Sequence, residues 1–226
     1  MKENKLDLVH TYMQREIAAM QLIESQINDV QYCSVIDKIM HLTGRLVFMG
    51  VGKTGHIGVK LAATFASLGT PAIFVHATEA MHGDMGMITS EDLVILISNS
   101  GETKETLAPL PSLKRIGAAI SNSGETKETL APLPSLKRIG AATVAFTGQD
   151  DSHLAQACES VLTIPVTHEA DDLGLAPTSS STAALMVGDA LACTISRLKG
   201  FTASDFALYH PGGALGQKLL KQGSLE

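Results

Sequence analysis

The chain has 226 residues, 45% of them hydrophobic, and a formal net charge of −6. That length and apolar content suit one compact domain with a proper core, expected to take in residues 1–226. No basic cluster marks a nucleic-acid surface and no apolar run reaches membrane-spanning length, so neither is expected as a partner. The first residues, MKENKLDLVH, lack the apolar core of a signal peptide. Cys33, Cys158 and Cys193 are odd in number, far apart and without a CxxC pair, and read as reduced thiols of a cytoplasmic protein.

Val9, Met13, Ile17, Met20, Ile23, Ile27 and Val30 recur at helical spacing, which predicts one amphipathic helix over 5–30. Ser34 to Leu42 predicts a second helix, stopped by Gly44, so residues 1–43 form an N-terminal helical region. Arg45–Met49 reads as the first strand, then a glycine loop GVGKTGHIG and a helix from Ile57 to Leu68. Gly50, Gly52 and Gly55 satisfy the dinucleotide fingerprint G-x-G-x-x-G, with Glu79 as a ribose acid, but Lys53 stands where that loop relies on backbone N–H groups. Pro71–Val75 reads as the second strand. It leads into His76, Glu79, His82 and Asp84, a cluster at a strand's C-terminal end that suggests a site facing substrate. The six-residue spacing of His76 and His82 matches no strong metal motif.

Leu93–Ile97 is wholly apolar and suits a strand buried on both faces. Ser98, Asn99, Ser100, Gly101, Glu102 and Thr103 follow, and a helical pattern starts there. Strand, hydroxyl-rich turn and helix start make an anion cradle, because the first helical N–H groups lack partners and the dipole favours negative charge. A phosphate monoester fits it; the plainer alternative is that Ser98 and Ser100 only cap a helix.

Ile97 to Ala119 then recurs letter for letter as Ile120 to Ala142. This is one duplication, not a repeat array. Only the first copy follows a strong strand. Giving that place to Ile116–Ile120, with its glycine and two alanines, loses several kcal/mol at about 0.8 kcal/mol per buried CH₂. The working cradle is therefore expected at Ser98, Ser100, Thr103 and Glu105, with Ser121, Ser123, Thr126 and Glu128 in an excursion held by few core contacts; the alternative is that the first copy loops out and the second takes its place. Thr143–Thr147 predicts a strand, Ser152–Cys158 a short helix and Ser160–Pro165 another strand. The polar loop from Thr167 to Thr182 leads into a long helix to Leu198, capped by Thr178 or Ser179, with Ala183, Ala184, Val187, Ala190, Leu191 and Ile195 inward. Tyr209-His210-Pro211-Gly212-Gly213 is a tight turn that fixes a histidine, and residues 221–226 read as a tail.

In order, GVGKTGHIG, HGDMGM, ISNSGET, EADDLGLAPTSSST, GDALA and FALYHPGGALG resemble the sugar isomerase (SIS) domain of the D-arabinose 5-phosphate isomerase family, over about residues 40–220. The resemblance implies a three-layer αβα, flavodoxin-like doubly wound fold with a five-stranded parallel sheet, and a homotetramer. It implies interconversion of D-ribulose 5-phosphate and D-arabinose 5-phosphate, feeding synthesis of KDO for lipopolysaccharide or capsule, with no cofactor. Many members carry two regulatory modules after this domain, where this chain ends before any, and none carries the duplication. By motif, Lys53, Glu105, Glu169 and His210 match the acid–base machinery. Ser98, Asn99, Ser100, Gly101 and Thr103 match the phosphate loop, and Gly69, Thr70 and His82 match substrate contacts. His76 matches a histidine that can take zinc, which the isomerisation does not require.

Aldose–ketose isomerisation moves a proton between C1 and C2 through an enediol. It needs a base, an acid for the oxygens and a group that stabilises developing charge. A carboxylate, a histidine and a lysine are those types, and His210 is the candidate shuttle for ring opening. Two other functions compete: a sugar-phosphate-binding regulatory module, which shares the fold, and an NAD-binding oxidoreductase, on Gly50, Gly52 and Gly55.

Overall fold

The computed structural model describes residues 4–100 and 131–221. Five parallel strands form one sheet in the order β2-β1-β3-β4-β5: β1 (Leu46–Gly50), β2 (Ala72–His76), β3 (Leu93–Ile97), β4 (Ala142–Thr147) and β5 (Ser160–Thr163). This is the flavodoxin-like order, not the 3-2-1-4 order of dinucleotide-binding halves. Phe48 registers with Phe74 on one side and Ile95 on the other, and Ile95 with Val144.

Alternation along each strand divides the core into two layers. Leu46, Phe48, Leu93, Ile95, Val144 and Phe146 face α2 (Asp29–Met40), α3 (Gly52–Ser67) and the long α7 (Ser179–Leu198). Val47, Met49, Val94 and Leu96 face the opposite side, with Leu133 and Leu136 of α5 (Leu133–Ile139) and Leu154 of α6 (His153–Ala157). All five residues of β1 and of β3 are buried, as a strand covered on both faces requires. Chain direction across the sheet reverses between β1 and β3. The crevice beyond their C-terminal ends is therefore the expected ligand site of such a sheet.

The N-terminal region differs from the single helix expected over 5–30. α1 (Lys5–Ser25) ends at Gln26, and Asn28 caps α2 by accepting from Gln31 N at 3.2 Å. The asparagine offers the backbone a cap there, so Val30 belongs to α2. The stripe Val9, Met13 and Ile17 points away from this subunit, 52%, 59% and 44% exposed, while Leu8, Tyr12, Glu16 and Ile23 face inward toward α7. Ala190 is exposed too, not inward as its spacing suggested.

The glycine loop is not a loop. Helix α3 begins at Gly52 (φ 53°), and Thr54 closes its first turn, with Oγ1 donating to Val51 O at 2.9 Å and accepting from Val51 N at 3.3 Å. Gly58 lies against the Phe74 ring, where a Cβ would come within 2.8 Å. Helices α3 and α7 pack closely through Gly188 against Leu61 and carry the Lys60–Asp189 ion pair.

The duplication is shared out. β3 runs into the first copy's Ser98–Ser100, whereas α5, which leads into β4, belongs to the second copy. Leu133 and Leu136 are only 4% and 0% exposed, so the second copy's helix is core, contrary to the expected loose excursion. The reason is connectivity. Gly140 (φ 84°) ends α5 and turns directly into β4, so this helix docks with the shortest closure. Thr103, Glu105, Gly101, Ser121, Ser123, Thr126 and Glu128 lie outside the described residues.

Candidate active site

At the switch point, strand ends and helix starts enclose a cleft of about 460 Å³. Lys53 and Thr54 come from the first turn of α3, Ser98, Asn99 and Ser100 from the end of β3, and Thr147 and Gly148 from the end of β4. Glu169, Leu175 and Pro177 form the far wall, with Ser180 and Ser181 from α7. Buried strands set these positions, which is why three separate sequence motifs converge.

The cradle is held by its neighbouring strand. Ser98 is 3% exposed and its N–H donates to Phe146 O at 2.9 Å. Asn99 O accepts from Gly148 N at 2.8 Å. A Cβ on Gly148 would stand 2.8 Å from that oxygen, so the close approach needs glycine. Thr147 and Gly148 went unread in the sequence; the available signal was a small residue at the C-terminal end of a strand in an open α/β sheet.

Glu169 has a definite structural task. Its Oε2 accepts from Thr178 N at 2.8 Å, Ser180 N at 3.1 Å and Thr178 Oγ1 at 3.2 Å. It therefore caps α7 across the chain and sets a negative charge at the helix's positive end. Thr178, expected to cap by its own side chain, makes no such bond; its hydroxyl accepts from Ala170 N at 2.8 Å instead. None of the three donors to Glu169 reaches Oε1.

The remaining candidates stand elsewhere. His76 ends β2 and its Nδ1 accepts from Thr78 N at 3.3 Å, capping the short α4 (Ala77–Ala80). His82 is exposed just beyond. Among the described residues no group of three or more His, Cys, Asp and Glu side chains gathers as for a metal ion. His210 follows α8 (Ala203–Tyr209), stacks on Phe206 at 3.9 Å and is fixed through Nδ1 to Phe206 O at 2.9 Å and Nε2 to Ser67 Oγ at 3.3 Å. Gly69 and Thr70 lie beside it, before β2, where Lys199 Nζ donates to Thr70 Oγ1 at 3.1 Å. Burial holds the Lys199 ammonium below the usual lysine range. His210, Gly69 and Thr70 stand at the C-terminal end of α3, whereas Lys53 is at its start. The fourteen helical steps from Lys53 to Ser67 put about 21 Å between them at about 1.5 Å per residue. One chain thus brings Lys53, Ser98, Asn99, Ser100 and Glu169 together and leaves His210, Gly69 and Thr70 at the opposite end of the sheet.

The SIS domain family model matches residues 39–120 and 118–194, two stretches that meet where the repeated copies join. The chain is 50% identical over 184 residues to arabinose 5-phosphate isomerase KdsD of Escherichia coli K12, covering 81% of this chain and 49% of that one. It is 43% identical over 219 residues to the KdsD of Pseudomonas aeruginosa, covering 95% and 60%. The chain thus spans about half the length of the curated relatives it matches. A solved structure, E. coli CFT073 c3406 in complex with arabinose 5-phosphate, superposes with a TM-score of 0.79 at 45% identity, covering 92% of this chain and all of that one. No helix among the described residues is long and apolar enough to cross a membrane. On the family model and these identities, the chain belongs to the SIS domain family and stands within it beside the arabinose 5-phosphate isomerases.

Proposed function

We propose that this chain is an isomerase interconverting D-ribulose 5-phosphate and D-arabinose 5-phosphate in the cleft between β1 and β3, a cytoplasmic step that feeds KDO synthesis. One observation carries the reading. The cradle Ser98–Ser100, Lys53 and Glu169 line a single cleft of about 460 Å³, and c3406, similar over its whole length, was solved with arabinose 5-phosphate. That volume falls within the range of about 300–1,000 Å³ usual for small-molecule sites.

The division of labour follows from residue type. Ser98, Ser100 and the backbone beside them hold the phosphate, with Gly101 and Thr103 continuing the cradle. The Lys53 ammonium faces the C1 and C2 oxygens and stabilises charge as the enediol forms. Glu105 and Glu169 supply carboxylates for the proton transfer; at Glu169 the working atom is Oε1, since Oε2 is engaged by α7. No cofactor takes part, and zinc at His76 is not required.

Ring opening is assigned to His210, and Gly69, Thr70 and His82 to substrate contacts. The separation along α3 supports a site shared between copies, in which the His210 and Thr70 end of one subunit meets the Lys53 end of another. The outward stripe Val9, Met13 and Ile17 supports the same homo-oligomer, a tetramer by family resemblance. The decisive experiment incubates the purified chain with D-arabinose 5-phosphate and follows ribulose 5-phosphate by NMR, with ligand-induced thermal shifts alongside. Turnover, and stabilisation by pentose phosphates but not NAD, is expected. Stabilisation by NAD with no effect of either pentose phosphate overturns the assignment.

A further inference from the structure

Helix α1 carries a contact that the isomerase chemistry does not explain. Arg15 Nη1 donates both to Ala170 O at 2.8 Å and to Asp172 Oδ1 at 2.7 Å. One turn earlier, the Tyr12 hydroxyl donates to Asp172 Oδ2 at 2.6 Å, and the guanidinium lies 5.2 Å from the centre of the Tyr12 ring. The hydrogen bonds from Tyr12 and from Arg15 hold the Asp172 carboxyl below the usual range.

What this pair grips is the cleft's outer wall. Ala170 follows Glu169 and is buried. Asp171 turns inward and ties a tight hoop: Oδ2 accepts from Leu173 N at 3.1 Å and Leu175 N at 3.3 Å, and Oδ1 accepts from Ala176 N at 3.1 Å. Gly174 (φ 63°) lets the hoop close, and Gly174, Leu175 and Pro177 line the cleft. Yet Leu173 and Leu175 are 79% and 76% exposed in the single subunit, so burial within the subunit does not fix where the hoop stands. Its anchorage is polar, with Glu169 and Thr178 on the inner side and Arg15 with Tyr12 on the outer. The two adjacent carboxylates have separate tasks: Asp171 shapes the hoop and Asp172 hitches it to α1.

The geometry points to Arg15 as a positioning residue that, through the Ala170 carbonyl and Asp172, sets the outer wall of the substrate cleft. This rests on the reading of that cleft as the sugar-phosphate site. The pair is half exposed, so its effect belongs to the local position of the hoop and not to global stability.

The test compares the parent chain with Arg15→Met, Arg15→Lys and Asp172→Asn. Native-state amide exchange is read at Leu173, Leu175 and Ala176, alongside KM and kcat for D-arabinose 5-phosphate. In Arg15→Met, exchange in 171–176 should quicken roughly three- to tenfold, in keeping with loss of an exposed charge-assisted pair. KM should rise by a similar factor, with kcat within about twofold and the melting temperature nearly unchanged; Arg15→Lys should recover part of the protection. Parent-like exchange and KM in Arg15→Met overturn the inference, as does faster exchange spread over the whole chain. If the parent turns over no pentose phosphate, the isomerase reading fails by itself, and exchange at 171–176 still decides whether Arg15 holds the hoop.

Discussion

Glu169 is assigned two tasks, and two substitutions separate them. Its Oε2 accepts three hydrogen bonds, two of them from the first N–H groups of α7, and its charge sits at that helix's positive end. Glu169→Ala removes all three bonds and the charge. An N-cap is worth about 1 kcal/mol, a charge at the dipole about 0.3–1 kcal/mol, and hydrogen bonds to an ionised acceptor somewhat more than neutral ones. Glu169 is only half-buried and lines an open cleft, so water replaces part of what is lost. A net loss of about 2–3 kcal/mol follows, or roughly 5–10 °C in Tm for a chain of this size. Glu169→Gln keeps an oxygen that can accept the same donors and loses mainly the charge–dipole part, about 1 kcal/mol or less. As a proton-transfer group, however, an amide is useless, so turnover should fall about 100-fold or more in both variants. The assay is differential scanning calorimetry beside the NMR isomerisation assay. Near-parent kcat in Glu169→Gln refutes the acid–base role, and an unshifted Tm in Glu169→Ala refutes the cap.

Ser100→Ala should abolish detectable protection by phosphate esters in a thermal-shift titration, whereas Ser123→Ala, in the second copy, should leave it near the parent's; the reverse result would hand the cradle to the second copy. Met13→Glu with Ile17→Glu should shift light-scattering mass to smaller species and remove activity while leaving subunit secondary structure intact, because both side chains face outward; a fully active monomer sinks the shared-site reading. Asp92 concerns pH. Its carboxylate is 1% exposed, and although burial opposes ionisation, bonds from Arg45 N at 2.7 Å and Thr89 N at 2.8 Å, with the Arg45 guanidinium, bring its pKa below the usual 3.8. A folded pKa below the unfolded one gives stability that is full above about pH 4 and is lost as pH falls through the folded value. Asp92→Asn should therefore be less stable at pH 7 and show a flatter acid limb; an acid limb identical to the parent's would contradict this.

The local grammar of the chain determined most of the sheet. Leu93–Ile97 is apolar at every position, as a strand covered on both faces requires. The alternation of Leu46, Val47, Phe48 and Met49 between two cores follows from the period of two. The hydroxyls after β3 and the glycines after β1 marked the two edges of the cleft because a ligand crevice at a switch point needs small residues and hydrogen-bonding groups. Tertiary structure alone decided the rest. Asn28, not hydrophobic period, divided the N-terminal helices, since a cap outweighs continuation of a pattern. Glu169 reached α7 across nine positions of sequence, and Arg15 reached Asp172 from the other end of the chain. Contacts of that span leave no periodic trace, because they depend on where β5 and α1 bring the backbone. The positions of His210 and Thr70 were equally illegible: their motifs resemble those of a sugar site, but a rigid helix of 16 residues sets them at the far end of the subunit from Lys53.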